Sequence, residues 1–530
     1  MVVQESGTPR ELERYLRPQS VKGISFDRLC VTVAATAKDR GTGLNPHITG
    51  VSLNPQIVQP GDVFLAISGA KRHGAEFLAA ALEHGAVALI TDPAGLEFLP
   101  AELSIPVAVV PNVRQIAAQA ASSVYGTDTR CPQLLAVTGT NGKTTTSYMI
   151  RAITEALGRH SGLVGTIEMS ARGQIIPSVL TTPEATQLHG VLARMQEQEV
   201  ATVAMEVSSH SLSYGRVDGL RFAVSGYTNL TQDHLDLHGS MEEYFQTKAK
   251  LFNSQHSERA VVMVDDPYGQ RLAEQALIPT ESLSLDAANG TADWIVTDLA
   301  PSALGHKFSI VHRDGRTLHA RTGLPGLFNV ANAALATLMV LSSGVDLDTL
   351  QQVLEEFEPL SVSVPGRMQV IGEAPVAVVD FAHNSDALAK ALDSVRTGEQ
   401  GRRIIVFGAT GERDKTKRPD MGAVAARHAD IVIVTDDDPH GEDPAPIREQ
   451  VASGARAVIE GERRQVQLFN IAPRAKAVEF AVSLAGVQDA ILIAGRGHEV
   501  SQDVAGIDVA LDDRIELANA LKLHGFVTIY

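Results

Sequence analysis

The stretch Val137-Thr-Gly-Thr-Asn-Gly-Lys-Thr-Thr-Thr146 constrains the fold more than any other in this chain. The apolar run Leu134-Leu-Ala-Val137 leads into it as a short strand, and the pattern that follows predicts a helix starting at about Lys143. A strand that turns through glycines into a helix aims successive backbone N–H groups and the positive end of the helix dipole at one point. Lys143 adds an ammonium there and Thr144 a hydroxyl suited to Mg²⁺, so the segment is shaped for a polyphosphate. The full phosphate-loop pattern has a glycine five residues before Gly142, and here that position is Val137.

At 530 residues the chain exceeds what one hydrophobic core serves, and three domains are expected. In residues 1–127, strand-like Asp62-Val-Phe-Leu-Ala-Ile67 and Ala86-Val-Ala-Leu-Ile-Thr91 flank the helix-like Ala75-Glu-Phe-Leu-Ala-Ala-Ala-Leu82. Residues 128–364 open with the strand before the glycine-rich turn and carry further strands near 202–205 and 260–264. Residues 365–530 repeat the alternation, with strands at Val376–Asp380, 404–407, 431–435 and Ala490–Ala494. Short apolar runs separated by helical patterns imply an α/β class built on doubly wound, mostly parallel sheets.

Composition narrows the function classes. A net charge of −17 argues against non-specific nucleic-acid binding, which draws on surplus Lys and Arg, while leaving room for a local phosphate pocket. Cys30 and Cys131 are the only cysteines, so a reducing compartment is expected and a disulfide framework is not. The start, Met1-Val-Val-Gln-Glu-Ser, lacks the apolar core of a signal peptide. Thr322 to Val345 is uncharged and long enough to cross a bilayer. Pro325, Gly326, Asn329 and Asn332 interrupt its first half, so a buried helix of about 12 residues is expected instead. The expectation is a soluble cytoplasmic protein with no membrane insertion.

In open α/β sheets, ligands gather beyond the carboxyl ends of strands. Polar clusters follow strand-like runs here at Gly139–Thr145, Glu206-Val-Ser-Ser-His210, Asp380-Phe-Ala-His-Asn384, Asp436-Asp-Asp-Pro-His440 and Gly495-Arg-Gly-His-Glu499. Glu206 offers a hard oxygen and His234 a nitrogen, both compatible with Mg²⁺, although imidazole is less usual for it. Read singly, Glu206 is equally a salt-bridged strand end and His234 a capping or core histidine.

Taken in order, these segments resemble the Mur ligase family over essentially the whole chain. The likeness is carried by G-T-N-G-K-T-T, by M-E-V-S-S-H ending at His210, by Asn229-Leu-Thr-Gln-Asp-His-Leu-Asp-Leu-His238 and by Tyr244-Phe-Gln-Thr-Lys-Ala-Lys250. Gly411-Glu-Arg-Asp-Lys-Thr-Lys-Arg-Pro419 and G-R-G-H-E extend it into the last third. The features are most similar to the branch that adds a diamino acid to UDP-N-acetylmuramoyl-L-alanyl-D-glutamate. The resemblance implies three domains: one for the UDP end, a central phosphate-loop ATPase with a parallel sheet, and a Rossmann-like C-terminal domain that closes over the site.

It also implies an ATP-dependent ligase of peptidoglycan precursor synthesis, working through an acyl phosphate, with two Mg²⁺ ions. Catalytic positions by this resemblance are Lys143, Glu206, His234 and Lys248, the last carbamylated. Metal ligands would be Thr144, Glu206, His234 and Lys248; the plainer reading of Lys248 is an exposed helix residue beside Lys250. ATP contacts would be Gly139, Thr140, Asn141, Gly142, Lys143, Thr144 and Thr145, with Asn329, Asn332, Arg367 and Asp380. For the muramoyl dipeptide the matching positions are Leu53, Ala70, Lys71, Arg72, Thr181, Thr182, Ser208 and Arg216. Relatives carry D-S-R before the P-G-D turn, whereas this chain has Asn54-Pro55-Gln56.

The amino-acid site would comprise Arg413, Asp437, Asp438, Pro439, His440, Gly495 and Glu499. Relatives that use meso-diaminopimelate carry D-N-P-R, whose Arg forks onto the distant carboxylate. Here the segment is Asp437-Asp438-Pro439-His440. Histidine lacks that fork, and Asp436, Asp437, Asp438, Glu442 and Asp443 make an acidic setting. L-lysine is therefore the expected substrate, L-ornithine next, and diaminopimelate the alternative. A monomer is expected. Remoter readings are a folylpolyglutamate synthetase-like ligase and a nucleotide-dependent switch that ligates nothing.

Overall fold

A computed structural model describes residues 16–38, 43–69, 71–177, 180–395 and 397–530. Among these residues the central sheet has eleven strands. Their order is Gln174–Pro177, Glu168–Ala171, Ser161–Val164, Thr202–Glu206, Gln133–Thr138, Phe222–Tyr227, Ser257–Met263, Thr280–Ser284, Trp294–Ser302, Gly305–His312 and Thr317–Thr322. From Ser161–Val164 to Trp294–Ser302 neighbouring strands run parallel, and antiparallel strands extend both sides. The phosphate-loop strand sits in the middle, between Thr202–Glu206 and Phe222–Tyr227.

A strand covered on both faces must be apolar at every position, and the alternation of side chains splits it between two cores. Leu135 and Val137 join one core, with the helices Lys143–Ala156 and Leu327–Ser342. Leu134 and Ala136 join the other, with the helix Ala185–Glu197. The last third repeats the scheme in a six-stranded sheet ordered Gln369–Glu373, Val376–Asp380, Ala490–Ala494, Arg403–Phe407, Ile431–Val434 and Gln467–Asn470. All its pairs are parallel except the first. Ile405 and Phe407 face one core there, Ile404 and Val406 the other. A five-stranded sheet within residues 36–109 serves the N-terminal part.

The outermost central strand, Thr317–Thr322, lies beside the helix Leu347–Phe357. Its unpaired backbone at His319 is met by one side chain: His319 N–H donates to Gln351 Oε1 at 2.8 Å, and Gln351 Nε2 donates to the His319 carbonyl at 3.2 Å.

The expected segment around 75–82 divides into a 3₁₀ turn, Gly74–Phe77, and a short helix, Leu78–Glu83. The uncharged stretch forms a helix, Leu327–Ser342, of 16 residues, longer than expected because Asn329 and Asn332 lie inside it. Asn329 Nδ2 donates to the Pro325 carbonyl at 2.7 Å and Asn332 Nδ2 to Asn329 Oδ1 at 3.1 Å, so both amides are satisfied locally. Among the described residues no helix is long and apolar enough to cross a membrane.

Candidate functional site

Strand Gln133–Thr138 runs into Gly139, and helix Lys143–Ala156 starts from Gly142, three residues further on. Both glycines have positive φ, 144° and 90°. A Cβ at Gly139 would meet Thr228 Oγ1 at 1.9 Å and one at Gly142 would meet Asn332 Oδ1 at 2.3 Å, so neither position admits a larger residue. Asn329 and Asn332 thus brace the loop from the neighbouring helix, with Thr146 Oγ1 donating to Asn332 Oδ1 at 3.4 Å. Lys143 Nζ folds back onto the carbonyls of Gly139, at 3.0 Å, and Thr140, at 2.8 Å. Burial lowers its pKa, with the Glu206 and Asp233 carboxylates opposing.

Glu206 ends the neighbouring strand and is wholly buried. Three donors converge on it: Thr144 Oγ1 at 2.9 Å, Thr166 Oγ1 at 3.0 Å and Thr166 N–H at 2.8 Å. Lys248 is buried too, contrary to the exposed-helix alternative. Its Nζ donates to the Gly139 carbonyl at 2.8 Å, the oxygen Lys143 also uses, and lies 4.7 Å from the centre of the Tyr244 ring. Burial, with the Lys143 charge beside it, holds the Lys248 pKa well below its ordinary value. His234 has a left-handed backbone, φ 52°, and neither caps a helix with its side chain nor belongs to the core. Desolvation holds its imidazole down to about 4, Asp233 opposing and His210, Lys143 and Lys248 assisting, so it is neutral.

Thr144 and Glu206 have the hard-oxygen chemistry that Mg²⁺ prefers, and a neutral His234 keeps a lone pair. Among the described residues no three His, Cys, Asp or Glu side chains form a metal-ion group.

The third sheet closes the other side. Asp380, at a strand end, accepts from Met368 N–H at 2.7 Å and Ala382 N–H at 2.8 Å. Arg367 stacks 4.2 Å from the centre of the Phe381 ring and bonds His498 Nδ1 at 3.3 Å. Two contacts tie this face to the central one: His383 Nε2 to Asp233 Oδ2 at 3.6 Å, and Asn141 Nδ2 to Asp386 Oδ2 at 3.4 Å. Burial would push the Asp233 carboxyl upward, yet the His383 bond and the Lys417 charge keep it far below the usual carboxylate range.

A cavity of about 650 Å³ lies between the two faces. Residues Thr140 to Thr145, Thr181, Thr182, Glu206, Ser208, Arg216, His234, Asn329, Asn332, Arg367, Asp380 and Arg413 all line it. Gly139 and Lys248 do not line it, and Lys248 reaches the loop through its bond to the Gly139 carbonyl. Thr182 is fully buried and donates to the Glu206 carbonyl at 2.9 Å, Ser208 accepts from Ser211 N–H, and Arg216 pairs with Glu184 at 2.7 Å.

Leu53, Lys71 and Arg72 lie apart from this cavity, on the N-terminal domain. Leu53 packs on that domain's core, and Arg72 is held by Glu76 at 2.8 Å and the Phe77 ring at 4.3 Å. Ala70 lies outside the described residues. Asn54, in the altered segment, accepts from Gln56 N–H at 2.9 Å and caps a 3₁₀ turn.

Asp437, Asp438 and Glu499 come together around Arg496, with Pro439, His440 and Gly495 next to them in the chain, and none of the six lines the cavity. Arg496 is fully buried; Nη1 bonds Asp438 and lies 4.0 Å from Asp437, and Nη2 is 3.6 Å from Glu499. A Cβ on Gly495 would reach Asp437 Oδ2 at 2.7 Å. The acidic setting read from the sequence needs correcting, because its members are already paired. Asp436 binds Arg448, Asp438 binds Arg496, Glu442 binds Arg418 at 3.2 Å, and Asp443 caps the helix Pro444–Gly461. Burial raises the Asp437 carboxyl, but Arg474 and Arg496 outweigh it and hold the pKa below its ordinary value. Glu499 is the exception: burial and the Asp437 charge push it up to about 8.

Sequence reading missed several contributors. Thr166 carries two of the three bonds to Glu206 and stands in an unremarkable Val164-Gly-Thr-Ile167 run. Arg474 is fully buried, binds Asp513 twice at 2.7 Å, and donates to the carbonyls of Asp436 at 3.0 Å and Ala494 at 2.8 Å. It pins the two strand ends that lead into Asp437–His440 and Gly495–Glu499, and removing one partner of such a pair costs about 3–5 kcal/mol. A lone Arg at a helix start gave no signal. Asp233 and His383 sat within quoted motifs, but their contact required the tertiary fold.

Three family profiles match the chain: "Mur ligase family, catalytic domain" over residues 47–125, "Mur ligase middle domain" over 137–340, and "Mur ligase, glutamate ligase domain" over 366–497. Among curated proteins, the chain is 39% identical to the UDP-N-acetylmuramoyl-L-alanyl-D-glutamate–2,6-diaminopimelate ligase of Streptomyces avermitilis, covering 96% of this chain and 98% of that protein. It is 41% identical to the UDP-N-acetylmuramyl-tripeptide synthetase of Leifsonia xyli, covering 91% and 93%. A solved UDP-N-acetylmuramoyl-L-alanyl-D-glutamate–2,6-diaminopimelate ligase matches at 30% identity and a TM-score of 0.62, covering 91% of this chain and 96% of that one.

Proposed function

The chain belongs to the Mur ligase family, and on that membership we propose that it is a MurE-type ligase. It uses ATP to join a diamino acid to the D-glutamate of UDP-N-acetylmuramoyl-L-alanyl-D-glutamate, in peptidoglycan precursor synthesis in the cytoplasm. The supporting observation is the cavity that the phosphate loop, Glu206 and His234 share with Arg367, Asp380 and Arg413 of the last sheet. The proposed domains are 1–127 for the UDP end, 128–364 for ATP and 365–530 for the amino acid.

The D-glutamyl γ-carboxylate of the dipeptide attacks the γ-phosphate of ATP, giving an acyl phosphate and ADP. The α-amine of the diamino acid then attacks the acyl carbon, forming the amide and releasing phosphate. Two anions must meet in the first step, so positive charge has to lie between them. Lys143 supplies it when polyphosphate oxygens replace the loop carbonyls it now bonds. Mg²⁺, when bound, would neutralise further charge, and Thr144, Glu206, His234 and a carbamate on Lys248 are the proposed holders of two ions. Thr181, Thr182, Ser208 and Arg216 orient the dipeptide, with Leu53, Lys71 and Arg72 toward the UDP end. Arg367 and Asp380 couple nucleotide binding to closure, which keeps water from the acyl phosphate.

For the diamino acid we propose L-lysine. With the Asp and Glu side chains around it paired, the support rests on His440, which carries no fork for a second carboxylate. Glu499, a carboxyl group that a nearby ammonium would drive to ionise, is proposed with Arg413 to hold the α-carboxylate and amine end common to every candidate. The second reading is diaminopimelate, favoured by the names of the relatives at 38–42% identity. ATP-dependent phosphate release, assayed with the muramoyl dipeptide and lysine, ornithine or diaminopimelate, separates the readings. Release that needs both dipeptide and amine supports the ligase, and none with any amine refutes it. A preference for diaminopimelate refutes only the lysine choice.

A further inference from the structure

The segment Asp437-Asp-Pro-His440 does not stand alone. It is stitched to a hairpin, Ser501–Val504 with Ile507–Ala510, that follows Glu499. His440 N–H donates to the Asp503 carbonyl at 3.2 Å, Ala505 N–H donates to the His440 carbonyl at 2.8 Å, and the two segments form a parallel bridge at His440 and Val504. Asp503 N–H donates to Asp438 Oδ1 at 3.1 Å, and Gln502 Nε2 reaches the Asp437 carbonyl. The backbone of His440 is left-handed, φ 50°, a conformation that residues other than glycine hold only where the surroundings enforce it.

The side chains join as well. His440 Nδ1 lies 2.7 Å from Asp503 Oδ2, and His440 Nε2 bonds no described residue. The bond to His440, with a second from Gly506 N–H at 2.8 Å, keeps the Asp503 pKa below its ordinary value. An ionised carboxylate only accepts, so the proton on this bond belongs to Nδ1. In a neutral imidazole the other nitrogen then carries a lone pair.

We propose that Asp503 is a specificity-determining positioning residue: by accepting the Nδ1 proton of His440, it fixes the tautomer in which Nε2 receives the terminal ammonium of the diamino acid. This rests on the lysine reading above. An ammonium has three donors and no acceptor, so it suits an exposed lone pair. Diaminopimelate carries a carboxylate beside its far ammonium, and that added group has only acceptors, so the same lone pair repels it and disfavours this substrate.

Two measurements on the full chain test this. Long-range ¹⁵N NMR of the histidine rings, with the His440→Gln difference spectrum as assignment, should show a single proton, on Nδ1. A proton on Nε2, or on both nitrogens, overturns the proposal whatever the variants do. Asp503→Ala should raise the KM for L-lysine about tenfold, the size of one lost hydrogen bond to a charged group, with kcat and the KM for ATP within about twofold. It should also narrow the preference for lysine over diaminopimelate. A lysine KM unchanged in this variant, while the unaltered chain prefers lysine, overturns only the Asp503 proposal. A preference for diaminopimelate in the unaltered chain overturns the lysine reading together with it, and absence of ligation with any amine overturns the ligase reading.

Discussion

Replacing Glu206 by Gln separates the architecture of the site from its chemistry. The side chain is wholly buried and receives Thr144 Oγ1, Thr166 Oγ1 and Thr166 N–H within 3.0 Å. A backbone N–H can only donate, so the Gln oxygen must keep Thr166 N–H and its NH₂ must face the two hydroxyls. Both hydroxyls can rotate to accept, so the network survives, losing the charge-assisted part of three bonds. At about 0.5–1 kcal/mol each, the loss is about 2 kcal/mol of folding free energy. For the central domain that is a fall of about 4–8 °C in melting temperature. The chemical loss should be far larger, because an amide holds Mg²⁺ poorly and contributes no charge. Several kcal/mol of transition-state stabilisation, taken as about 4, corresponds to about a thousandfold in kcat. The assay is steady-state phosphate release with dipeptide and diamino acid saturating, beside a thermal melt. Activity within about tenfold of the unaltered chain would refute the placement of Glu206 in the metal site.

Two further outcomes are expected. Lys248→Ala should abolish turnover, with partial rescue by short-chain carboxylates, because burial and Lys143 depress the Lys248 pKa and so expose the neutral amine that carbamylation needs; unchanged activity would remove the carbamate from the mechanism. Away from the site, burial holds His189 down to about 4 from 6.5, with Nδ1 bonded to Thr127 Oγ1 at 2.6 Å. The unfolded chain takes a proton between those values that the folded chain refuses, so stability is lost as pH falls through that window, by about 3 kcal/mol at its lower end. Denaturant midpoints from pH 7 to pH 4 should slope less in His189→Gln, and an identical slope would contradict this assignment.

Much of the central site was legible because its chemistry is written in consecutive residues. The turn from Val137 to Thr146 announces strand, loop and helix at once, and the expected helix start at Lys143 is the observed one. Strand ends such as Asp380 and Glu206 were legible from apolar runs stopping at a polar residue. What stayed hidden depends on partners far apart in the chain. The acids between Asp436 and Asp443 looked unopposed until Arg448, Arg474, Arg496 and Arg418 folded onto them. Asn329 and Asn332 looked like helix breakers, but Asn329 bonds the Pro325 carbonyl just before the helix, Asn332 bonds Asn329, and Asn332 Oδ1 packs against Gly142. The plainer reading left Lys248 solvated, because charge alone says nothing of burial.

The amide of Gln351 has a consequence beyond its own two bonds. By filling both the donor and the acceptor of His319, it stands where the main chain of another molecule would otherwise dock. A long sheet usually guards its rim with charge or a bulge. Here a neighbouring helix lends one side chain as a plug, so at His319 the rim leaves neither its N–H nor its carbonyl open to a twelfth strand.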